Sequence, residues 1–295
     1  MPPSTDPPVI YDEPNNPSER LRDPAQNSNI YPFALKNRNH PRQRAFFIAK
    51  EDYLVVCDAL DPSQWTALAL KAGAIPVGAT VRSYQVEISN LVLMRRGDGV
   101  VIAPTGYGKS LTWALPLLAR QEGISLVIIP YTTLGLDGGL SNTCDGITSI
   151  FIYSEQNSLE DFEQVANGEM QIVYVCPEML ESPSFARILH SARWRRRLSV
   201  VYLDKAHLVH QTHHWHPPYS RIHQSRHILG DDIPFIGLSA TCPSLYRDAL
   251  VMYAGFKNNY NLINLDSHRP ELSMIIQPME HDISSFQDLA FVIPL

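Results

Sequence analysis

From about residue 80 onward, short apolar runs alternate with longer segments whose apolar positions follow a helical period. The runs predict strands at 99–103, 125–130, 148–153, 171–176, 198–204 and 234–239. The helical segments are 82–95, 109–121, 158–167, 183–196 and 243–254. Strands that are apolar on both faces and are joined through helices are typical of a parallel sheet covered on both sides. We therefore predict an α/β fold of three layers, with a mostly parallel sheet between two layers of helices.

The first part of the chain has a different pattern. Residues 1–44 contain nine of the 23 prolines, no glycine and few aliphatic residues, a composition that predicts a disordered or extended arm. Residues 45–79 form a predicted helical N-terminal segment. Within it, Asp61 and Pro62 resemble an N-cap followed by proline at the first helical position, and Gly73 ends the helix.

Composition limits the class of protein. With 44% hydrophobic and 18% charged residues, the chain can form a packed core, which excludes a fully disordered protein. No apolar run reaches the roughly 18 residues of a transmembrane helix, so we expect no membrane partner, and the N-terminus lacks the features of a secretory signal. The four cysteines form no CxxC pair and indicate reduced thiols in an intracellular protein: Cys57, Cys144, Cys176 and Cys242.

Charge is distributed unevenly along the chain. The net charge is −6, yet the segment from Arg187 to His227 holds eight Lys or Arg residues against one Asp, a balance of +7. Seven of the eleven histidines lie between His207 and His227. A basic island on an acidic protein is consistent with a bounded contact to an anionic partner or with a solvated face.

The most specific motif is APTGYGKSLTWALPLL at 103–118, which follows an apolar run and opens a helical segment. Glycines let the backbone turn so that successive N–H groups face phosphate oxygens, and the helix start adds a positive dipole. Lys109 would reach the β- and γ-phosphates of ATP, and Ser110 would offer its hydroxyl to Mg²⁺. Ala103 replaces the first glycine of the usual pattern. The predicted ATP-binding residues of the loop are Thr105, Gly106, Tyr107, Gly108, Lys109 and Ser110.

A phosphate loop requires an acid on the metal side of the nucleotide, at the end of another strand. The run LSVVYLD ends at Asp204, which could hold Mg²⁺ through its water shell. The alternative is that Asp204 caps the helix that follows.

In this order, the motifs resemble those of superfamily-two helicases, specifically RecQ-like ATP-dependent DNA helicases, from about residue 75 to 295. The segments that carry the resemblance, besides the phosphate loop, are VRSYQVEISNLVL, VIIPYTTLGLDG (127–138), IVYVCPEML (172–180), LDKAH (203–207), HQTHHWHPPY (210–219), LSATCP (238–243) and SHRPELSM (267–274). The resemblance implies a RecA-like ATP-binding lobe at 80–266 and a junction towards a second lobe at 267–295. It also implies ATP and Mg²⁺ as cofactors, single-stranded or forked DNA as the partner, and 3′–5′ DNA unwinding as the activity of the family. A DNA substrate in turn implies an intracellular, nuclear location.

The resemblance also assigns roles to single residues. Arg82 and Gln85 would recognise adenine. His207 would link the Asp204 strand to a coupling segment that senses the γ-phosphate, formed by Ser239, Ala240 and Thr241. Three residues would contact DNA, where Trp215 would stack on an unpaired base and two arginines would bind phosphates: Trp215, Arg195 and Arg196. Trp215 could instead anchor its own loop, and the arginines could form a solvated helix end.

Two departures from the family pattern change the expected activity. Lys205 replaces the glutamate that positions or deprotonates the attacking water, and loss of a general base typically costs ~10²–10⁴ in rate. We also expect the second lobe, which would start near Leu295, to be missing from this polypeptide or supplied by a partner chain. The alternatives are therefore a helicase lobe unable to unwind DNA alone, a non-hydrolysing ATP-binding module, or a truncated fragment of a longer helicase.

The histidine-rich segment also raises the question of a metal site. On a helix, His207, His210 and His214 would share one face. Because no cysteine or acidic residue lies nearby to complete a tetrahedral site, zinc binding is disfavoured.

Overall fold

The computed structural model describes residues 58–130, 146–153, 158–212, 217–266, 273, 276 and 278–289. Within them, the predicted helix after residue 60 is present as α1 (Pro62–Lys71). The Asp61 carboxylate accepts hydrogen bonds from the N–H groups of Ser63 and Gln64, and the Gln64 side chain returns a bond to the Asp61 N–H. This capping box fixes the start of the helix.

A seven-stranded sheet forms the centre of the described fold, and all six of its strand pairs are parallel. The strand order is β3-β4-β2-β5-β6-β1-β7. The strands are β1 (Gly99–Ile102), β2 (Ile124–Ile128), β3 (Ser149–Ile152), β4 (Ile172–Val175), β5 (Leu198–Asp204), β6 (Phe235–Ser239) and β7 (Asn261–Asn264). The predicted parallel α/β fold is confirmed.

Helices cover both faces of the sheet. They are α2 (Ser83–Leu93), α3 (Leu111–Ala119), α4 (Leu159–Asn167), α5 (Pro177–Leu180), α6 (Pro183–His190), α7 (Ala192–Arg197), α8 (Leu208–Thr212), α9 (Pro217–Ser220), α10 (Ile222–Leu229) and α11 (Ser244–Ala254). Alternate residues of β5 belong to different cores: Val201 packs on the side of α6, α10 and α11, and Tyr202 on the side of α2 and α3. Because successive strand residues point to opposite faces, one apolar run supports both layers.

Several elements differ from the prediction, and four helices lie outside the predicted helical segments: α5, α8, α9 and α10. The helical pattern at 183–196 is divided into α6 and α7 at Ser191, whose backbone is extended and whose hydroxyl accepts the Trp194 N–H. The break lets Trp194 enter the core edge-on to Phe185. Strand β7 was not predicted, because three of its four residues are exposed and so give no apolar pattern. Its backbone hydrogen bonds to β1 hold it in the sheet.

The strand order determines which polar residues lie close together at the ends of the strands. Strands β5, β6 and β1 are neighbours, so their carboxyl ends lie side by side at one edge of the sheet. The phosphate-loop motif follows β1, Asp204 ends β5, and Ser239 ends β6. Open parallel sheets bind ligands at this carboxyl edge.

The opposite, amino edge holds a buried ion pair that sequence inspection missed. Asp98, one residue before β1, lies 2.6 Å from the guanidinium of Arg226 on α10. The same carboxylate accepts the backbone N–H groups of Phe235 and Lys257, each at 2.8 Å. The ion pair therefore connects the starts of β1 and β6 with the segment that leads into β7.

Candidate nucleotide site

The loop between β1 and α3 turns on two glycines with positive φ, Gly106 at 83° and Gly108 at 74°. A side chain at Gly108 would also meet the Gln85 amide nitrogen, since a Cβ atom there would lie 3.0 Å from it. The loop is exposed at both glycines. A backbone of this kind can turn several N–H groups toward an anion at the start of α3.

Lys109 lies across the loop. Its ammonium donates hydrogen bonds to the carbonyls of Ala103 at 2.8 Å and Pro104 at 3.0 Å. Partial burial lowers the pKa of Lys109, while the nearby Asp204 charge acts in the opposite direction. The predicted phosphate-binding lysine therefore lies at the carboxyl edge, within electrostatic range of the predicted metal-side acid.

Two buried side chains of α2 support the loop from below. The Tyr84 hydroxyl donates to the Tyr107 carbonyl at 2.7 Å, and the Gln85 amide donates to the Gly108 carbonyl at 2.7 Å. Burial raises the pKa of Tyr84 to about 12, so the phenol keeps its proton and remains a donor. Tyr84 was missed from the sequence, although its position beside Gln85 was a usable signal.

The predicted adenine-recognition residues lie close to this support. The Gln85 side-chain oxygen accepts the Arg82 N–H at 2.8 Å, and Gln85 is only 2% exposed. Arg82 is exposed, with its guanidinium carbon 4.8 Å from the centre of the Tyr107 ring. Gln85 thus contributes to loop geometry, and recognition of adenine by Arg82 and Gln85 stays a prediction.

Asp204 and Lys205 occupy the end of β5. Burial raises the pKa of Asp204, and this rise is opposed by a hydrogen bond from the Lys205 N–H and by the charges of Lys205 and Lys109. Lys205 has a φ of 50°, which is uncommon for a residue with a side chain. One carboxylate therefore lies within electrostatic range of two ammonium groups.

The next two predicted residues meet directly. The His207 Nδ1 atom lies 2.7 Å from the Ser239 hydroxyl oxygen, and that hydroxyl donates its single proton to the Thr241 carbonyl. With the hydroxyl proton on the Thr241 carbonyl, the His207 tautomer that carries its proton on Nδ1 completes this chain of hydrogen bonds. Burial and the Lys205 charge lower the pKa of His207, which favours the neutral ring. The contact joins the end of β5 to the end of β6 across the coupling segment, in which Ala240 lies between the two bonded residues.

Mg²⁺ is the metal that the helicase resemblance implies, and its two predicted holders lie at this edge. Ser110 is exposed immediately before α3 and Asp204 ends β5, so the oxygen donors suit Mg²⁺. The charge does not, because Lys109 and Lys205 together exceed the one carboxylate. As a set, these residues do not fit a tightly held divalent cation.

The predicted DNA-binding arginines lie at the amino edge of the sheet, directly before β5. Arg195 is half-buried and donates to the Ile228 carbonyl at 3.1 Å, whereas Arg196 is exposed. Strand β5 separates them from Asp204 by seven residues, about 20 Å. Their contact with DNA stays a prediction, and the structure does not bring them to the nucleotide edge.

Several predicted residues lie outside the described part of the chain. These include Trp215, residues 131–138 of the 127–138 motif, most of the 267–274 motif, and the histidines His213, His214 and His216. Among the residues that the structure does describe, no three His, Cys, Asp or Glu side chains are grouped to hold a metal. Cys176 and Cys242 are both free and buried.

Comparison with known proteins decides the family. The profile of the DEAD/DEAH box helicase family matches residues 82–249, which is more than half of the chain. The chain belongs to the DEAD/DEAH box helicase family. The matched range contains the phosphate loop, Asp204 and the coupling segment, and helicases of this family generally use ATP with Mg²⁺.

Curated relatives confirm the RecQ-like resemblance. An ATP-dependent DNA helicase RecQ of Haemophilus influenzae is 28% identical over 208 residues, covering 68% of this chain and 32% of the relative. A RecQ of Bacillus subtilis is 33% identical over 172 residues, covering 57% of this chain and 28% of the relative. The chain thus spans about a third of the length of these relatives.

Solved structures agree on the fold. The DUF1998 helicase MrfA, whose structure was solved bound to DNA, is 19% identical with a TM-score of 0.52 and covers 70% of this chain and 30% of that protein. At this identity the likeness shows the RecA-like helicase fold alone. In the described part of this helicase domain, no helix has the length and apolar character needed to cross a membrane.

Proposed function

We propose that residues 80–266 are the ATP-binding lobe of a RecQ-like DNA helicase and bind a nucleoside triphosphate at the carboxyl edge of the sheet. The observation that carries the proposal is the meeting of Lys109, Asp204 and the His207–Ser239 contact at the ends of three neighbouring strands. In this proposal the loop N–H groups and Lys109 hold the phosphates. Arg82 and the Tyr107 ring lie beside the loop, where adenine would be recognised.

We further propose that hydrolysis of the bound nucleotide is slow. An ammonium at position 205 cannot accept a proton from water, and the loss of a general base costs ~10²–10⁴ in rate. The polypeptide would then bind ATP without the turnover that 3′–5′ unwinding requires, unless a second lobe or partner chain restores it.

DNA is the proposed partner. The relatives that this chain matches are DNA helicases by name, and the basic segment between Arg187 and His227 gives a local positive charge for a single-stranded or forked substrate. Of the three predicted contacts, Trp215 belongs to the 210–219 motif, whose first residues lie in α8. A DNA substrate also favours a nuclear location, which imaging of a tagged full-length protein would test.

Phosphate release tests the proposed activity. Release from Mg·ATP is measured with and without single-stranded DNA for the unmodified chain, for Lys205→Glu and for Lys109→Ala. We expect the unmodified chain to match Lys109→Ala, and Lys205→Glu to exceed both. DNA-stimulated phosphate release by the unmodified chain would contradict slow hydrolysis. If no variant releases phosphate, Lys205 is not what prevents hydrolysis.

Nucleotide binding needs a separate measurement, because it stands even if hydrolysis is absent. Titration with a fluorescent ATP analogue is expected to saturate for the unmodified chain and to weaken strongly for Lys109→Ala. Lys71→Ala is the matched control, since Lys71 ends α1 in a groove that it shares with Gln121 and Arg197, beyond the end of α3 that is away from the loop. Equal affinity in all three proteins would overturn the proposed site.

A further inference from the structure

The balance of charge at the carboxyl edge is unusual for a nucleotide site. Lys109 and Lys205 both act on Asp204, so the three side chains together carry a charge of +1. A glutamate at position 205, as the family pattern has it, would give −1. The difference of two charges equals the charge of one Mg²⁺ ion.

The backbone around Lys205 is held on both sides. The next N–H, that of Ala206, donates to the Leu238 carbonyl of β6 at 2.9 Å, and the Lys205 carbonyl accepts the Leu208 N–H at 2.8 Å. Between these bonds Lys205 adopts its φ of 50°. The position of its Cα atom is thereby fixed beside Asp204, and the ammonium can move only as far as its side chain allows.

The Lys205 charge is directed into the site. It lowers the pKa of His207, contributes to lowering the pKa of Lys109, and opposes the raised pKa of Asp204. These three side chains come from the phosphate loop, the end of β5 and the segment after it. An ammonium within electrostatic range of all three belongs to the carboxyl edge of the sheet, on the side of the phosphate loop.

We propose that Lys205 takes the place of Mg²⁺ as the cation that faces the terminal phosphates, so that this chain binds nucleoside triphosphates without a divalent cation. The inference rests on the proposed nucleotide site and deepens it. A fixed ammonium beside the phosphates supplies charge compensation that the family obtains from the metal, whereas Mg²⁺ entering the same space would be repelled by two ammonium groups. Asp204 is then the partner of the two lysines rather than a metal holder.

The test compares the affinity for mant-ATP in excess Mg²⁺ with the affinity in excess EDTA. For the unmodified chain we expect the two dissociation constants to agree within about threefold. For Lys205→Glu we expect EDTA to weaken binding by about tenfold or more, because the variant recovers the need for the metal. Lys205→Arg keeps the charge and should behave as the unmodified chain does.

Two further variants separate charge at this position from general effects. Lys205→Gln should weaken binding in EDTA less than Lys205→Glu does, and Lys71→Glu, the same charge reversal at the opposite edge, should leave the two affinities equal. Circular dichroism and urea unfolding of each variant identify any that are misfolded, and Lys205→Gln, which removes the charge, keeps the test decisive if Lys205→Glu fails to fold.

The outcomes distinguish this inference from the proposed function. Saturable binding in Mg²⁺ with loss of binding in EDTA, for the unmodified chain, would overturn the inference and leave the nucleotide site intact. Equal metal dependence in the unmodified chain and Lys205→Glu would also overturn it. Absence of binding in both solutions would overturn the nucleotide site itself.

Discussion

The two edges of the sheet both contain charged groups, but those groups are satisfied in different ways. At the amino edge, Asp98 is fully buried and its carboxylate accepts hydrogen bonds from Arg226 and two backbone N–H groups. At the carboxyl edge, Asp204 has two cationic neighbours, and Lys109 is directed across an exposed loop. The first group is balanced, and the second carries excess positive charge.

This difference separates structure from function. A buried carboxylate whose partners are all internal contributes to folding and has no capacity left for a ligand. The carboxyl edge has two ammonium groups for one carboxylate, so the protein itself does not neutralise its positive charge. The positive φ at Lys205 adds backbone strain of the kind found at functional sites. Substitutions at the amino edge should therefore change stability alone, and substitutions at the carboxyl edge should change nucleotide affinity.

The largest expected effect is at the amino edge. Asp98→Ala leaves Arg226 buried without its carboxylate, which we expect to lower the free energy of unfolding by about 3–5 kcal/mol. Urea unfolding followed by circular dichroism measures the change. Asp248→Ala, an exposed acid on α11, is the control and should cost less than about 0.5 kcal/mol. A small change for Asp98→Ala would mean that the ion pair is dispensable.

At the carboxyl edge, Lys109→Met should weaken mant-ATP binding by about tenfold to a hundredfold, the range for loss of charge-assisted hydrogen bonds. Its urea midpoint should stay close to that of the unmodified chain, because the bonds lost go to two loop carbonyls. Lys71→Met provides the comparison. If Lys109→Met loses stability as Asp98→Ala does, the two edges do not differ as we argue.

Tyr84→Phe sharpens the comparison because Tyr84 belongs to the core and also holds the loop. Removing its hydroxyl leaves the Tyr107 carbonyl without that donor, and we expect a cost of about 0.5–1.5 kcal/mol in unfolding with a several-fold weaker affinity. Tyr260→Phe, at a partly buried tyrosine before β7, should leave the affinity unchanged. An affinity equal to that of the unmodified chain would limit Tyr84 to a packing role.

The smallest expected effect concerns the pH dependence of stability. Because burial raises the folded-state pKa of Asp204 above its ordinary 3.8, the folded state holds this proton more tightly than the unfolded state does. Its contribution to stability is then lost as the pH rises from 3.8 through the folded-state pKa. Asp204→Asn should remove that loss, so its stability relative to the unmodified chain should increase as the pH rises above 3.8. A constant difference across that range would contradict the raised pKa.

Sequence patterns predicted much of this molecule for identifiable reasons. The run at 198–204 is apolar at nearly every position, so its strand and the position of Asp204 at the strand end could be stated to the residue. The break at Ser191 could not be predicted, because residues on both sides of it are good helix formers and only the packing of Trp194 against Phe185 decides the bend. Strand β7 was missed because an exposed edge strand has no apolar pattern.

Local spacing along the chain was enough to predict the parallel α/β fold, the phosphate loop, the acid at the end of β5 and the lysine that follows it. Which charges meet depends instead on the order of the strands. Strand order placed β6 between β5 and β1, which brought Ser239 to His207 and Lys205 into range of Lys109. It also paired Asp98 with Arg226 across 128 residues of sequence. Long-range pairing depends on how strands are ordered in the sheet, and a sequence pattern carries no direct record of that order.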